Sequence, residues 1–507
     1  MLTEIKKVCV GDLIAGISVA ALLIPQSIAY AALLDLPAII GIYAAILPPI
    51  VAAFFVSSPY LQTGPVAITC LLSLGVLNSI SSPTEADYIG LAALLAILVG
   101  LVRILIGFLR GGYVAYLMSP PVISGFTAAA ALLIICTQIP TFFGVSAGTT
   151  GIIQAAIWTI STPEQWSMQA LITGCVSITI IVLGRKIHTL FPGILIAVVL
   201  GIIYSQVTEY DNAIIGNIPS GFPTFSFTFP WHKVDLLIVP SIIIALIGFA
   251  EPAAIARTMA TQNRQTWSVD KEFISQGMAN IASGLSGCFP VGGSFSRTIV
   301  NFKAGGQTRW SGAITGLTVL LFLPFASILS PLPRTVLSAI IISAVISLIN
   351  FRGLLSIFGT SFPQGLIAWT TFGLTLILSP RVDIAVVVGI GLSVAVHLWR
   401  EKRIEVITHY TNSTLNLTPI GVLFFGSAQM LGETLIQKLA DHPDANKLII
   451  NLRNVGRLDY AAAITLLQVA MDADRSGLEV KIIRGGTERS IFLLDRVFGK
   501  NSAWLSD

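Results

Sequence analysis

The sequence predicts a polytopic α-helical membrane protein of 14 spans, built as two inverted halves of seven, followed by a small α/β domain. Three observations carry this. Of 507 residues, 54% are hydrophobic and 11% charged, against roughly 25% charged in ordinary soluble domains. Charge is unevenly spread: residues 1–403 hold 33 Asp, Glu, Lys and Arg, whereas the much shorter 404–507 holds 21. That step marks a boundary between a transmembrane domain over 1–403 and a soluble, cytoplasmic domain over 404–507. Finally, two Gly/Pro-broken segments recur at a fixed spacing.

Crossing the hydrocarbon core takes about 20 helical residues. Spans are expected at 12–34, 38–57, 64–80, 89–109, 113–140, 168–184, 190–206, 236–256, 272–288, 291–303, 311–330, 335–350, 366–380 and 383–399. The third and tenth are short for a full crossing. Basic residues orient the set. An even count puts Lys6, Lys7, Arg110, Arg185, Lys186, Arg257, Arg264, Lys271, Lys303, Arg309, Arg352, Arg400, Lys402 and Arg403 on cytoplasmic ends, with both termini cytoplasmic. The opposite side receives Asp35, Glu85, Asp87, Glu164, Glu209 and Asp211, with few basic residues (Lys233, Arg334 and Arg381).

An ionisable group inside a span costs about 2.5–3.5 kcal/mol even on the lenient insertion scale. Away from span ends, three such residues occur: Arg103, Glu251 and Arg297. Arg103 lies about two turns from the end of its span, and its long side chain is expected to snorkel to the interface. Glu251, in Gly248-Phe249-Ala250-Glu251-Pro252, is expected to be functional; the alternative is a structural carboxyl bonded to a neighbouring helix. Arg297 follows Pro290-Val291-Gly292-Gly293-Ser294-Phe295-Ser296, which reads as unwound chain entering a helix N-terminus. Backbone N–H groups, the helix dipole and a guanidinium together suit an anion. The alternative is an Arg that pairs with Glu251 for structure alone.

Gln62-Thr63-Gly64-Pro65-Val66-Ala67-Ile68-Thr69 has the same character. A shift of 225 residues lays Pro65-Val66 on Pro290-Val291, and Gln26 on Glu251. Two halves of seven spans follow, and the odd count inverts one against the other. Broken helices in matching positions of inverted halves point to a midplane binding site. Gln26, Tyr30 and Glu251 are expected to line it beside the two half-helices.

These segments resemble the SulP anion transporters, the sulfate-permease family. The stretches that carry the resemblance are IPQSIAYAALLDLPAIIGIYAAILPPIVAAFFVSS (24–58), TGPVAIT (63–69), SPPVISGF (119–126), GFAEPAAIA (248–256) and PVGGSFSRTIVN (290–301). The resemblance implies core and gate subdomains, frequent dimerisation and anion movement by an elevator-type step. Carried over by position, Gln26, Tyr30, Val66, Ala67, Ser296 and Arg297 would surround the anion. Glu251 falls where related bacterial transporters place a coupling acid. Sodium-coupled bicarbonate relatives carry Asp there, so Glu favours a proton over sodium. Ile42 before Tyr43, and the lack of a basic residue after Ser58, depart from the family's usual signature. The resemblance further implies a homodimer in a bacterial inner (plasma) membrane.

In the tail, Val422–Phe425, Lys447–Leu452 and Val480–Ile483 read as strands, with helices over Ala461–Ala473 and Glu488–Phe498. This resembles the STAS domain that ends SulP transporters. Phosphorylated free-standing STAS relatives carry Ser or Thr after an Asp; here Asp459 is followed by Tyr460-Ala461-Ala462, so Asp459 is expected to cap a helix. The domain's expected role is assembly or regulation.

The leading expectation is therefore secondary active, proton-coupled symport of a small anion such as sulfate, bicarbonate or a dicarboxylate. A passive anion channel or exchanger, a nucleobase–proton symporter of the same fold and a membrane-tethered signalling scaffold are the alternatives. An enzyme is not expected: His188, His232, His397, His409 and His442 are dispersed, and the five cysteines stand singly. No catalytic residue, cofactor or metal site is expected. A net charge of +4 with no basic block excludes a nucleic-acid partner.

Overall fold

The computed structural model describes residues 8–83, 87–116, 118–146, 148, 151–188, 190–219, 221–223, 228–401 and 404–506. Lys6, Lys7, Glu85, Lys402 and Arg403, and with the last two the expected 403/404 boundary, lie outside the described residues. By contacts the chain divides into two units, Met1–Ile390 and Gly391–Asp507.

In the first unit the helices are α1 (Val10–Leu33), α2 (Ala38–Ala44), α3 (Leu47–Phe55), α4 (Ala67–Ile80), α5 (Tyr88–Phe108), α6 (Pro120–Phe142), α7 (Ile152–Ser161), α8 (Met168–Ile187) and α9 (Gly193–Val207). There follow α10 (Val234–Gln262), α11 (Val269–Leu285), α12 (Phe295–Lys303), α13 (Trp310–Phe322), α14 (Arg334–Val345), α15 (Phe351–Thr360) and α16 (Phe362–Ile377), while α17 (Val382–Glu401) begins in the first unit and ends in the second. Each of the 14 expected spans holds helix. The second is broken between α2 and α3, where Pro48 and Pro49 start a new helix. Helices α7 and α15 lie between spans. Each runs 10 residues.

Two packing groups emerge. Helices α1, α3, α4, α5, α10, α11, α12 and α13 pack on one another, as do α6, α8, α9, α14 and α16. The groups meet where α1 touches α14 and α9 and where α4 touches α6. This is the core-and-gate division. The most extensive pairing is α5 on α11. Lipid offers no hydrophobic drive for association, so close backbone packing must supply it. Glycines permit that approach: a Cβ on Gly100 would sit 2.7 Å from the Gly277 carbonyl oxygen, and one on Gly284 would sit 2.6 Å from that of Ala93.

Arg103, on α5, does not snorkel. It is 0% exposed, donating through Nε to the Ala245 carbonyl (3.2 Å) and through Nη1 to that of Val291 (3.1 Å). The α5 face that carries it is packed into the core, so no route to the interface exists.

The repeat spacing also differs from 225. The unwound segments form a two-residue antiparallel pair, β1 (Thr63–Gly64) with β2 (Gly292–Gly293). The N-caps that follow are Val66 and Ser294, so the matching helix starts lie 228 residues apart. Pro65 follows its strand whereas Pro290 precedes the other; aligning the prolines therefore misaligned the helices. At a spacing of 228 Gln26 falls on Ala254 and not on Glu251. Gln26 follows the in-helix Pro25 of α1, and Glu251 precedes the in-helix Pro252 of α10.

The second unit contains β3 (Glu405–Thr411), β4 (Thr414–Leu423), α18 (Phe425–Ala440), β5 (Lys447–Asn451), β6 (Val455–Leu458), α19 (Tyr460–Arg475), β7 (Glu479–Ile483), α20 (Glu488–Phe498) and β8 (Leu505–Ser506). Strands run in the order β3-β4-β5-β7-β8, with β6 beside β4. Only the β3–β4 hairpin is antiparallel. Leu417, Leu431, Ile450, Leu466 and Ile482 fill its core. Phe424 and Phe425 are not strand: β4 ends at Leu423, Phe424 occupies the N-cap position of α18 and its N–H donates to Ser427 Oγ at 3.0 Å. Asp459 caps α19, accepting from the Ala462 N–H at 3.0 Å. The α/β arrangement fits a STAS domain.

Candidate anion site at the crossing of two broken helices

Pairing of Thr63 with Gly293 and of Gly64 with Gly292 brings the starts of α4 and α12 together. The first turns of a helix leave N–H groups without intrahelical partners. Neither Val66 nor Ser294 offers a side-chain cap, so the first-turn donors of α4 and α12 are left for other acceptors, and Glu251 faces that of Phe295. Gly64 has φ +155°, and a Cβ there would lie 3.4 Å from Arg297 Nη2. Glycine thus lets the backbone turn against the guanidinium.

Arg297, in the first turn of α12, is 1% exposed. Its Nη1 donates to the Pro65 carbonyl at 2.8 Å and points at Gln26 Oε1 at 3.5 Å. Nε and Nη2 have no partner among the described residues. A buried donor left without an acceptor costs about 1–3 kcal/mol, more when charged. Such a group suits an anion that supplies acceptors when it arrives.

The expected residues do not all converge equally. Gln26, Val66, Ala67 and Tyr30 are buried around Arg297, with Tyr30 in electrostatic range of both Arg297 and Glu251. Ser296 is exposed and bonds through its hydroxyl with that of Ser294 at 3.3 Å. Glu251 stands slightly apart. It faces the Phe295 backbone N–H at the start of α12 and forms no ion pair with Arg297 among the described residues. The structural alternative, an Arg297–Glu251 pair, is thus not what holds Arg297. Glu251 instead lines a cavity of about 350 Å³ with Ile68, Phe126, Ile247, Phe295 and Val386, and among the described residues is its sole ionisable lining residue.

A polar brace behind the crossing was not anticipated. The Ser294 N–H donates to the Gln62 carbonyl at 3.0 Å, and the Gln62 N–H to Thr298 Oγ1 at 3.1 Å. Gln276 Nε2 bonds Thr63 Oγ1 at 2.8 Å. Asn280 pairs with Val291 twice, accepting its N–H and donating to its carbonyl, both at 2.9 Å. The available signal was uncharged: Gln276 and Asn280 sit inside an expected span, where an amide must find a partner.

The fold defines a class: an inverted-repeat membrane protein in which two half-helices start side by side. The sulfate permease family model matches residues 10–371, and the chain belongs to that family. A probable sulfate transporter of Arabidopsis thaliana is 33% identical over 419 residues, 80% of this chain and 61% of that protein. The chain thus matches only about three fifths of that relative's length. A probable sulfate transporter of Mycobacterium tuberculosis is 34% identical over 348 residues, 67% of this chain and 62% of that protein. Among solved structures, murine Solute Carrier 26 family member A9, an anion transporter in its inward-facing state, superposes with TM-score 0.90 at 20% identity. That match covers 99% of this chain and 90% of that one. The transmembrane domain of a cyanobacterial bicarbonate transporter gives TM-score 0.66 at 24% identity, over 74% and 97%. These likenesses concern the fold.

Proposed function

We propose that the protein is a secondary active transporter that carries a small anion, sulfate first among the candidates, in symport with a proton. The observation that carries this reading is Arg297: a buried guanidinium with two unpartnered N–H-bearing nitrogens, beside the starts of two half-helices. Val66, Ala67 and Ser296 would offer backbone and hydroxyl groups to the anion, and Gln26 and Tyr30 would close the site from α1. Glu251 is the coupling acid. When protonated it adds no negative charge near the anion; when ionised it raises the cost of holding one. Anion and proton therefore favour each other's binding, which is reciprocal by linkage. Sodium is the less favoured coupling ion.

Movement is of the elevator type, with the α1/α4/α10/α12 group carrying the site past the α6/α14 group. The separate packing of the two groups supports this. Residues 404–507 form a cytoplasmic STAS domain with a regulatory or assembly role. Both termini are cytoplasmic, and the protein acts as a homodimer in a bacterial inner membrane. The sulfate transporters among its relatives support the substrate. Uptake of radiolabelled sulfate into proteoliposomes, with and without pH and sodium gradients, tests the reading. Accumulation driven by an inward proton gradient is expected. Dissipation without accumulation would identify a channel or exchanger instead.

A further inference from the structure

Arg103 stands behind the crossing with no counter-charge. Among the described residues no carboxylate lies within ion-pair distance of it. Two of its nitrogens hold carbonyls, of Ala245 on α10 and of Val291 just before β2. Its third, Nη2, is buried without a partner among the described residues, as is the hydroxyl of Thr69 in the first turn of α4. Both face Gly248: a Cβ there would sit 2.8 Å from Nη2 and 3.2 Å from Thr69 Oγ1.

We propose that Arg103 is a positioning residue and charge selector for the anion site, fixing the crossing from behind and favouring divalent over monovalent anions. The inference rests on the anion reading of Arg297. Its geometry is a relay of backbone between two guanidiniums. Arg297 lies against Gly64; Gly64 pairs with Gly292; a Cβ on Gly292 would lie 3.6 Å from the Gly248 carbonyl; and Gly248 lies against Arg103. Arg103 therefore touches no anion, yet ties the segment leading to Arg297 to the helix that carries Glu251.

The charge itself needs a reason. Asn280 holds the same Val291 carbonyl with a neutral amide. A second neutral donor would serve equally for bonding, without burying a cation whose uncompensated desolvation costs several kcal/mol. A guanidinium adds a positive potential at the start of α4, where the helix dipole already favours an anion. Coulomb attraction scales with the anion's charge. For charges on the order of 10–15 Å apart in a medium of effective dielectric about 20, each further unit of charge on the anion is worth about five- to twentyfold in affinity.

The test uses the full-length chain in nanodiscs. Binding of labelled sulfate, and its competition by nitrate, give affinities for a divalent and a monovalent anion. Arg103→Met is expected to weaken sulfate at least fivefold more than nitrate, with Arg103→Lys restoring most of the sulfate-to-nitrate ratio. Gly248→Ala, which crowds Nη2 without removing the charge, is expected to weaken both anions and leave the ratio near that of the wild type. It also stands in if Arg103→Met does not fold: a ratio shift in Gly248→Ala as large as that expected for Met would overturn the charge role. Equal weakening of both anions by Arg103→Met overturns it too, leaving the functional reading intact. No anion binding by the wild-type chain would overturn both.

Discussion

Arg297 donates to the carbonyl of Pro65 at 2.8 Å across 232 residues of sequence. This bond joins the two broken segments at the point where each gives way to helix. It leaves two nitrogens of the same guanidinium unpartnered, so one residue both closes the crossing and faces whatever occupies it.

Removing that group separates these roles. Arg297→Ala is expected to raise the apparent Kd for the anion on the order of 10- to 100-fold, from charge-assisted bonds worth about 1.5–3 kcal/mol each. Arg297→Lys keeps the charge but loses the planar fork, and should fall between. Radiotracer competition in proteoliposomes measures both; unchanged affinity in Arg297→Ala would remove it from the site.

Glu251→Gln holds the side chain in a permanently neutral form of the same shape. Accumulation driven by a proton gradient is expected to disappear, while exchange of internal for external anion persists. Uptake should also lose its dependence on external pH. Proton-driven accumulation at the wild-type level would end the coupling role.

Helix contact between α5 and α11 depends on small residues. Gly277→Val would drive a branched side chain towards the Gly100 carbonyl, 2.8 Å from where the Cβ would sit. Overpacking of this kind costs about 1–3 kcal/mol. A lower Tm in detergent is the expected outcome, and a Tm equal to the wild type's would show that the helices can part without cost.

In the tail, Asp459 serves two helix starts. One oxygen accepts the Ala462 N–H at 3.0 Å and the other the Phe425 N–H at 2.7 Å. Loss of a cap costs about 0.5–2 kcal/mol. Asp459→Ala should therefore speed proteolysis of residues 404–507 in the full-length protein, with Asp459→Asn milder. Equal cleavage rates in all three would contradict the capping role.

Much of this architecture was legible in the chain. Hydrophobic runs located the spans because lipid forces every backbone polar group to be satisfied within the helix. Gly64-Pro65 and Gly292-Gly293 marked the breaks, and Glu251 and Arg297 stood out because charge inside a span is costly. What the chain alone determined, then, was where helices lie and where they fail. Tertiary structure decided the rest. The helix starts matched at 228 residues because strand pairing, not proline position, sets the crossing. It also turned Arg103 inward. Distance from a span end describes how far a side chain could reach, but the packing of α5 on α10 and α11 determines which way it must point.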